Sequence, residues 1–285
     1  MQLPPMWQVT PLGVIAVLLG VTYEIGFRRL ALRQSPTARR RARQRRGFFF
    51  EGLVLLIVVV SGPLDRWSMQ SLSVHMVIHV IEMFFLPPLL ILGNPSGPIS
   101  FALPVDRRRR LLRALYLSRG ARPVRALRSV IVNPLVAIVV FNATMVLWHV
   151  PVIFDWASWH NWVMNWLMAP SFVLSGLLFW RVVLPSGPRL ARGGTQVQLA
   201  GIAVTAFEML VLAMSMSIFT STPWYSMNIA MSGRAAALSD QRLAAGILWI
   251  CGDFWAIPAL IVVLRRAVVS QGGVSATIER ALGRV

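Results

Sequence analysis

Two histidines four residues apart, His75 and His79, share a short run with Met76, Glu82 and Met83. At about 100° per residue these five side chains fall within an arc of roughly 120°, one face of a helix. Two imidazoles at that spacing can ligate one ion from a single face. Thioether sulfur added to imidazole suits Cu(I), whereas an oxygen-only set favours magnesium or calcium. Glu82 is a candidate ligand, a partner orienting His79, or a proton acceptor. The competing reading is a polar stripe buried against neighbouring helices, with methionine as packing filler. His149 brings a third imidazole from a different segment at the same depth, which favours metal.

The remaining reactive groups are few. His160 stands just before another apolar stretch. Glu24, Glu51, Glu82, Glu208 and Asp253 all lie inside apolar segments. A charge at mid-bilayer costs about 2.5–3.5 kcal/mol on insertion scales, so such acids are protonated, paired or turned to an interior cavity. Glu24 and Glu51 have arginines close by and are expected to pair with them. Glu82, Glu208 and Asp253 are deeper, and a proton or cation path is the chemistry they would support. Pro87 and Pro88 remove two backbone donors and free the carbonyls of Met83 and Phe84, so a kink is expected beneath the histidine face.

The elements that position these groups are membrane spans. Of 285 residues, 56% are apolar and only 13% charged, with a mean hydropathy of +0.65. Soluble domains are about 45–50% apolar and about 25% charged. All 28 basic residues are arginine, which excludes a lysine Schiff base, a retinal attachment point and a Walker-type phosphate lysine. One cysteine, Cys251, excludes an internal disulfide, a Cys-x-x-Cys pair and a thiolate metal cage. Segments near the ~20-residue length of a spanning helix fall at 12–30, 48–64, 72–93, 131–149, 162–184, 198–219 and 243–264, followed by a short cytoplasmic tail, 265–285. No charged region with a small-residue cleavage site precedes the first, so it reads as a retained helix.

Arginine placement orients the spans. Twenty-five arginines fall in alternate connections and the tail: Arg28 to Arg46, Arg107 to Arg128, Arg181 to Arg192, and Arg265 to Arg284. The other side holds only Arg66, Arg234 and Arg242. The alternation predicts an all-α, seven-helix polytopic bundle, one membrane domain over 1–285, with its N-terminus out and C-terminus in. It also accounts for the net charge of +18 by cytoplasmic retention and contact with membrane lipid. Nucleic acid is excluded as a partner, because no aromatics suited to base stacking accompany the arginines. Arg107 to Arg128, mixed with leucines, reads as a short amphipathic surface helix. On this topology all four histidines are outward. So are Met1, Met6, Met69, Met76, Met145, Met164, Met168, Met214, Met216, Met227 and Met231, with Met83 and Met209 near mid-depth. Trp7, Trp67, Trp148, Trp156, Trp159, Trp162 and Trp224 read as an outer interfacial belt.

These residues resemble a known family. His75-Met76-Val77-Ile78-His79, then Pro87-Pro88-Leu89 and Leu92-Gly93-Asn94-Pro95, are similar to the H-M-x-x-H, P-P-L and L-G-x-P run of the CtaG family of bacterial cytochrome c oxidase assembly factors. The likeness continues through Asn133-Pro134, Trp148-His149-Val150-Pro151, Ser171-Phe172, Gly176, Phe179-Trp180, and Asp240-Gln241 with Gly246 and Trp249. Where many relatives carry further histidines this chain has Asn165 and Ser171. The resemblance implies a non-enzymatic factor in the bacterial inner membrane that helps copper reach the oxidase, with an oxidase subunit as partner. By matching, it implies functional roles for His75, His79, His149 and Asp240, with Met76 at the family's H-M position.

Three readings are therefore carried forward. The first is an assembly factor holding Cu(I) through His75, Met76, His79, His149 and Asp240, with Glu82, Met83, Glu208, Asp253 and His160 as supporting groups or a proton path. The second is a permease for copper or protons. The third is a haem- or quinone-binding electron carrier, in which His149 must serve because His75 and His79 share one face. No serine elbow or paired carboxylates arranged for hydrolysis are present.

Overall fold

The computed structural model describes residues 7–116, 118–184 and 194–270, a few side chains excepted. Met1, Met6, Leu117, Arg189, Arg192, Arg280, Arg284, the 271–285 stretch and the side chains of Leu112, Leu115 and Asp253 lie outside the described residues. Among the described residues the chain is helix and connecting turn, with no strand. It is a helical, polytopic membrane protein.

In chain order the long elements are α1 (Pro11–Ala31), α2 (Pro36–Ser61), α3 (Leu72–Leu92), α4 (Pro134–His149), α5 (Asn161–Val183), α6 (Gly194–Ser217) and α7 (Arg234–Ser270). All but α4 are long and apolar enough to cross a membrane. With 16 residues, α4 spans only about 24 Å at 1.5 Å per residue. It bends by 72° from the preceding Arg122–Ile131 helix, and counting that bent pair as one span raises the candidate crossings from six to seven.

Local chemistry sets several boundaries. Three helices open on the same device, a polar cap followed at once by proline: Thr10-Pro11, Ser35-Pro36 and Asn133-Pro134. The cap side chain accepts an orphan N–H, and proline has none to lose. The Ser35 cap starts α2 well before residue 48, so the run Arg39 to Arg46 is helical rather than a loop. Gly233, at φ 80°, turns the chain directly into α7, which begins at Arg234 rather than near residue 243. The basic stretch forms two short helices, Val105–Tyr116 and Arg122–Ile131, where one was expected.

Two of the spans contain a π turn, Ile81–Phe85 in α3 and Met164–Met168 in α5. Each precedes proline, Pro87-Pro88 in one case and Pro170 in the other. Proline interrupts the helical ladder, and a π turn is one way to absorb the break. The carbonyl of Met83, which Pro87 cannot bond, accepts the indole N–H of Trp180 at 3.0 Å. Gly176, also on α5, permits that approach. A Cβ there would lie 2.7 Å from Pro87 Cγ and 3.0 Å from the Met83 carbonyl oxygen.

The interior divides into two packed groups. One, on α1, α2 and part of α3, includes Tyr23, Phe49, Leu56, Ile78 and Leu90. The larger gathers Met76, Phe84, Phe141, Met145, Phe172, Trp180 and Trp255 from α3 to α7. One end of the bundle carries most of the arginines, where Glu24 accepts Arg28 and Arg46, each at 2.8 Å. Glu51 is exposed, and among the described residues no ion pair is found for it. At the opposite, arginine-poor end Trp7, Trp67, Trp156, Trp159 and Trp162 are exposed as a belt requires. Trp148 is a correction: it is buried, its indole N–H donating to Ser171 Oγ at 2.8 Å.

Candidate metal site at the arginine-poor end

Helix α3 carries His75, Met76 and His79, all buried. Its first turn is fastened by a carboxylate from α7. Asp240 accepts the backbone N–H groups of Leu72 at 2.6 Å and Ser73 at 3.2 Å, and the Ser71 hydroxyl at 3.1 Å. An anion is favoured there because the first backbone N–H groups of a helix have no partner within it. Neighbouring Gln241 performs the same service for the loop above α6, accepting the Trp224 N–H at 2.7 Å and donating to the Met216 carbonyl at 2.8 Å. Asp240 thus stands at the helix start with its oxygens engaged by α3, and among the described residues it joins no group of three His, Cys, Asp or Glu that could hold an ion.

His149 arrives from α4. The helix ends there because Pro151 drives Val150 into an extended conformation, ψ 122°. The His149 carbonyl accepts the Tyr225 hydroxyl at 3.2 Å, and burial raises the pKa of that hydroxyl, keeping it a donor. The ring is oriented by its own helix, with Nδ1 2.6 Å from the Met145 carbonyl. A carbonyl oxygen at that distance needs a proton between, so in the neutral ring Nδ1 carries the hydrogen and Nε2 a lone pair. That Nε2 lies 3.4 Å from Met76 Sδ.

The three imidazoles form a chain. The ring centroids of His75 and His79 are 4.2 Å apart, nearly perpendicular, and those of His79 and His149 are 6.3 Å apart. Phe154 stands edge-on to His75 at 5.2 Å and Phe172 leans on His79 at 4.2 Å. Glu82 Oε2 is 3.5 Å from His79 Nδ1. His75 Nε2 and Glu82 Oε1 are buried without a hydrogen-bond partner. An unsatisfied buried polar atom costs about 1–3 kcal/mol, so this end of the molecule retains groups that packing alone would not select.

The expected single stripe is in fact two. His75, His79 and Glu82 line a cavity of about 120 Å³ at the seam between the packed groups, with Asp65, Asn161 and Asn165 on its other walls. Met76 and Met83 point instead into the larger core, Met76 toward His149. On the helical projection these two sets are already separated, and the π turn shifts the register below residue 80 further. Among the described residues no three His, Cys, Asp or Glu groups come close enough to hold one ion.

The other candidates lie elsewhere. His160 donates Nδ1–H to the Trp156 carbonyl at 2.6 Å, rests against the Trp156 ring and does not line the cavity. Glu208 sits on α6 with Oε1 unpartnered, away from the cavity wall. Sequence reasoning does not single out Asp65, Asn161 or Phe154, whereas Phe172 carries a signal through the Ser171-Phe172 match and Asn165 through its place among the family's histidines.

An uncharacterized protein of Mycobacterium bovis is 24% identical over 283 residues, covering 93% of this chain and 39% of its own length. One from Mycobacterium tuberculosis gives the same figures, and one from Mycobacterium leprae is 26% identical over 276 residues, covering 91% and 38%. The chain thus spans about two fifths of the length of these curated relatives. No solved structure matches it. The sequence model of one family covers residues 21–270, and on that match the chain belongs to the cytochrome c oxidase caa3 assembly factors, Caa3_CtaG.

Proposed function

We propose that the protein binds Cu(I) at its arginine-poor end and passes it to an oxidase subunit during assembly. The observation that carries the reading is the facing pair of His149 Nε2 and Met76 Sδ, 3.4 Å apart. With metal bonds of about 2.0–2.1 Å to imidazole nitrogen and about 2.3 Å to sulfur, that separation corresponds to an angle of roughly 100° at a shared ion. Imidazole with thioether is a donor set for Cu(I) rather than for a hard cation. His75, on the same helix as Met76, offers a second imidazole nitrogen that has no hydrogen-bond partner.

Family membership supports the assembly role, and an oxidase subunit is the natural recipient. The arginine asymmetry supports a bacterial inner-membrane location with the histidine end facing outward. The copper is cargo, held and released without bond chemistry on a substrate, so the role is non-catalytic. The exposed tryptophans around this end support a site near the membrane surface, where a subunit could receive the ion.

The test is copper stoichiometry of the purified full chain after Cu(I) loading and desalting. The reading expects bound copper in the unmodified protein and its loss in the Met76→Leu, His149→Ala double variant, together with loss of oxidase activity in cells. Unchanged copper content and intact oxidase in that variant would overturn it.

A further inference from the structure

Beside the histidine-lined cavity lies a second, of about 20 Å³, room for about one water-sized occupant. Its walls include four methionines, Met69, Met164, Met227 and Met231, with His75 at its inner side. They come from the turn before α3, from the start of α5, and from the short Ser226–Ser232 helix. Met69, Met164 and His75, with Ser68, are common to both cavities. The two spaces therefore meet across a partition of two thioethers and one imidazole. Met231 is 51% exposed, so the methionine set runs from the protein surface to a histidine whose Nε2 has no partner.

We infer that this cavity is the path by which a soft monovalent cation reaches the histidines, passed from Met231 and Met227 to Met69 and Met164 and then to His75. This rests on the copper reading above and adds to it a direction of travel and a selection step. Packing has no need of four unbranched thioethers at a partly exposed surface. Leucine would bury as well, whereas thioether sulfur supplies weak, polarisable donation. No carboxylate lines the small cavity, so a hard divalent ion gains nothing there to replace its water, while Cu(I) or Ag(I) exchanges water for sulfur. Successive weak ligands also let an ion move on, since none of them holds it strongly. Asp65 and Glu82 line only the histidine cavity, so the anionic groups lie on the far side of the shared methionines.

The experiment measures loading rates of Ag(I), and of Cu(I) under reductant, into the full chain in nanodiscs, with final stoichiometry read separately. The variants are Met231→Leu alone and Met227→Leu, Met231→Leu together, which keep side-chain volume. The double variant is expected to load about tenfold more slowly, the usual scale for removing a supporting group from a metal site, and to reach the same final content. Loading at the unmodified rate would overturn the path and leave the copper site standing. Failure of the unmodified protein to retain either ion would overturn the copper reading, and the path with it.

Discussion

Met76 Sδ and His149 Nε2 face each other across 3.4 Å as two electron-pair donors. Each is fixed by its own helix, Met76 by the Asp240-fastened start of α3 and His149 by its bond to the Met145 carbonyl. Met76→Leu removes the sulfur while keeping the volume, a swap that usually costs less than about 1.5 kcal/mol. The expected outcome is a melting temperature near that of the unmodified protein with Cu(I) affinity lowered by about 10–100-fold, the range for weakening a metal's surroundings. Met83→Leu, in the same packed group but seven residues further along α3, is the matched control and should leave affinity unchanged in a competition titration.

Asp240 separates a ligand from a fastening. Because its oxygens bond Leu72 N, Ser73 N and Ser71 Oγ, Asp240→Ala should destabilise by about 1–2 kcal/mol, the worth of a lost helix cap. Asp240→Asn retains one accepting oxygen and should lose less. Thermal melts of the three proteins check the order. A directly ligating Asp240 would instead give copper loss in both variants without a stability difference between them.

The meeting of α3 and α5 depends on Gly176. A methyl group there would press on Pro87 and on the Met83 carbonyl, so Gly176→Ala should cost about 1–3 kcal/mol by overpacking. Trp180→Phe should cost a similar amount for a different reason, leaving the Met83 carbonyl, which Pro87 cannot bond, without its donor. Chemical denaturation of both variants measures these losses.

The six long apolar helices were legible in the sequence because length and composition decide them segment by segment. The freed Met83 carbonyl was equally legible, since proline lacks a donor wherever it stands, and Glu24 pairs with arginine as proximity along the chain suggested. The start of α2 was not, because a strong Ser35 cap outweighs a run of like charges that otherwise reads as a loop. The division of the α3 stripe depends on which neighbour meets each side. Asp240 and Trp148 show the same limit. One fastens another helix and one is buried, and both facts depend on inter-helix register, which no single segment encodes.

Glu82 tests the role of the anionic group behind His79. Glu82→Gln preserves shape and removes the possibility of a negative charge 3.5 Å from His79 Nδ1. Carboxylates that support a ligating imidazole raise its basicity, and their loss typically weakens metal binding by about 10–100-fold. The expected outcome is retained copper at saturating Cu(I) but weaker retention against a chelator.

X-ray absorption at the copper edge of the Cu(I)-loaded full chain addresses the ligand set itself. The account expects mixed nitrogen and sulfur scattering around the ion, with sulfur diminished in Met76→Leu and nitrogen diminished in His149→Ala. A spectrum of nitrogen and oxygen alone, unchanged in Met76→Leu, would contradict it.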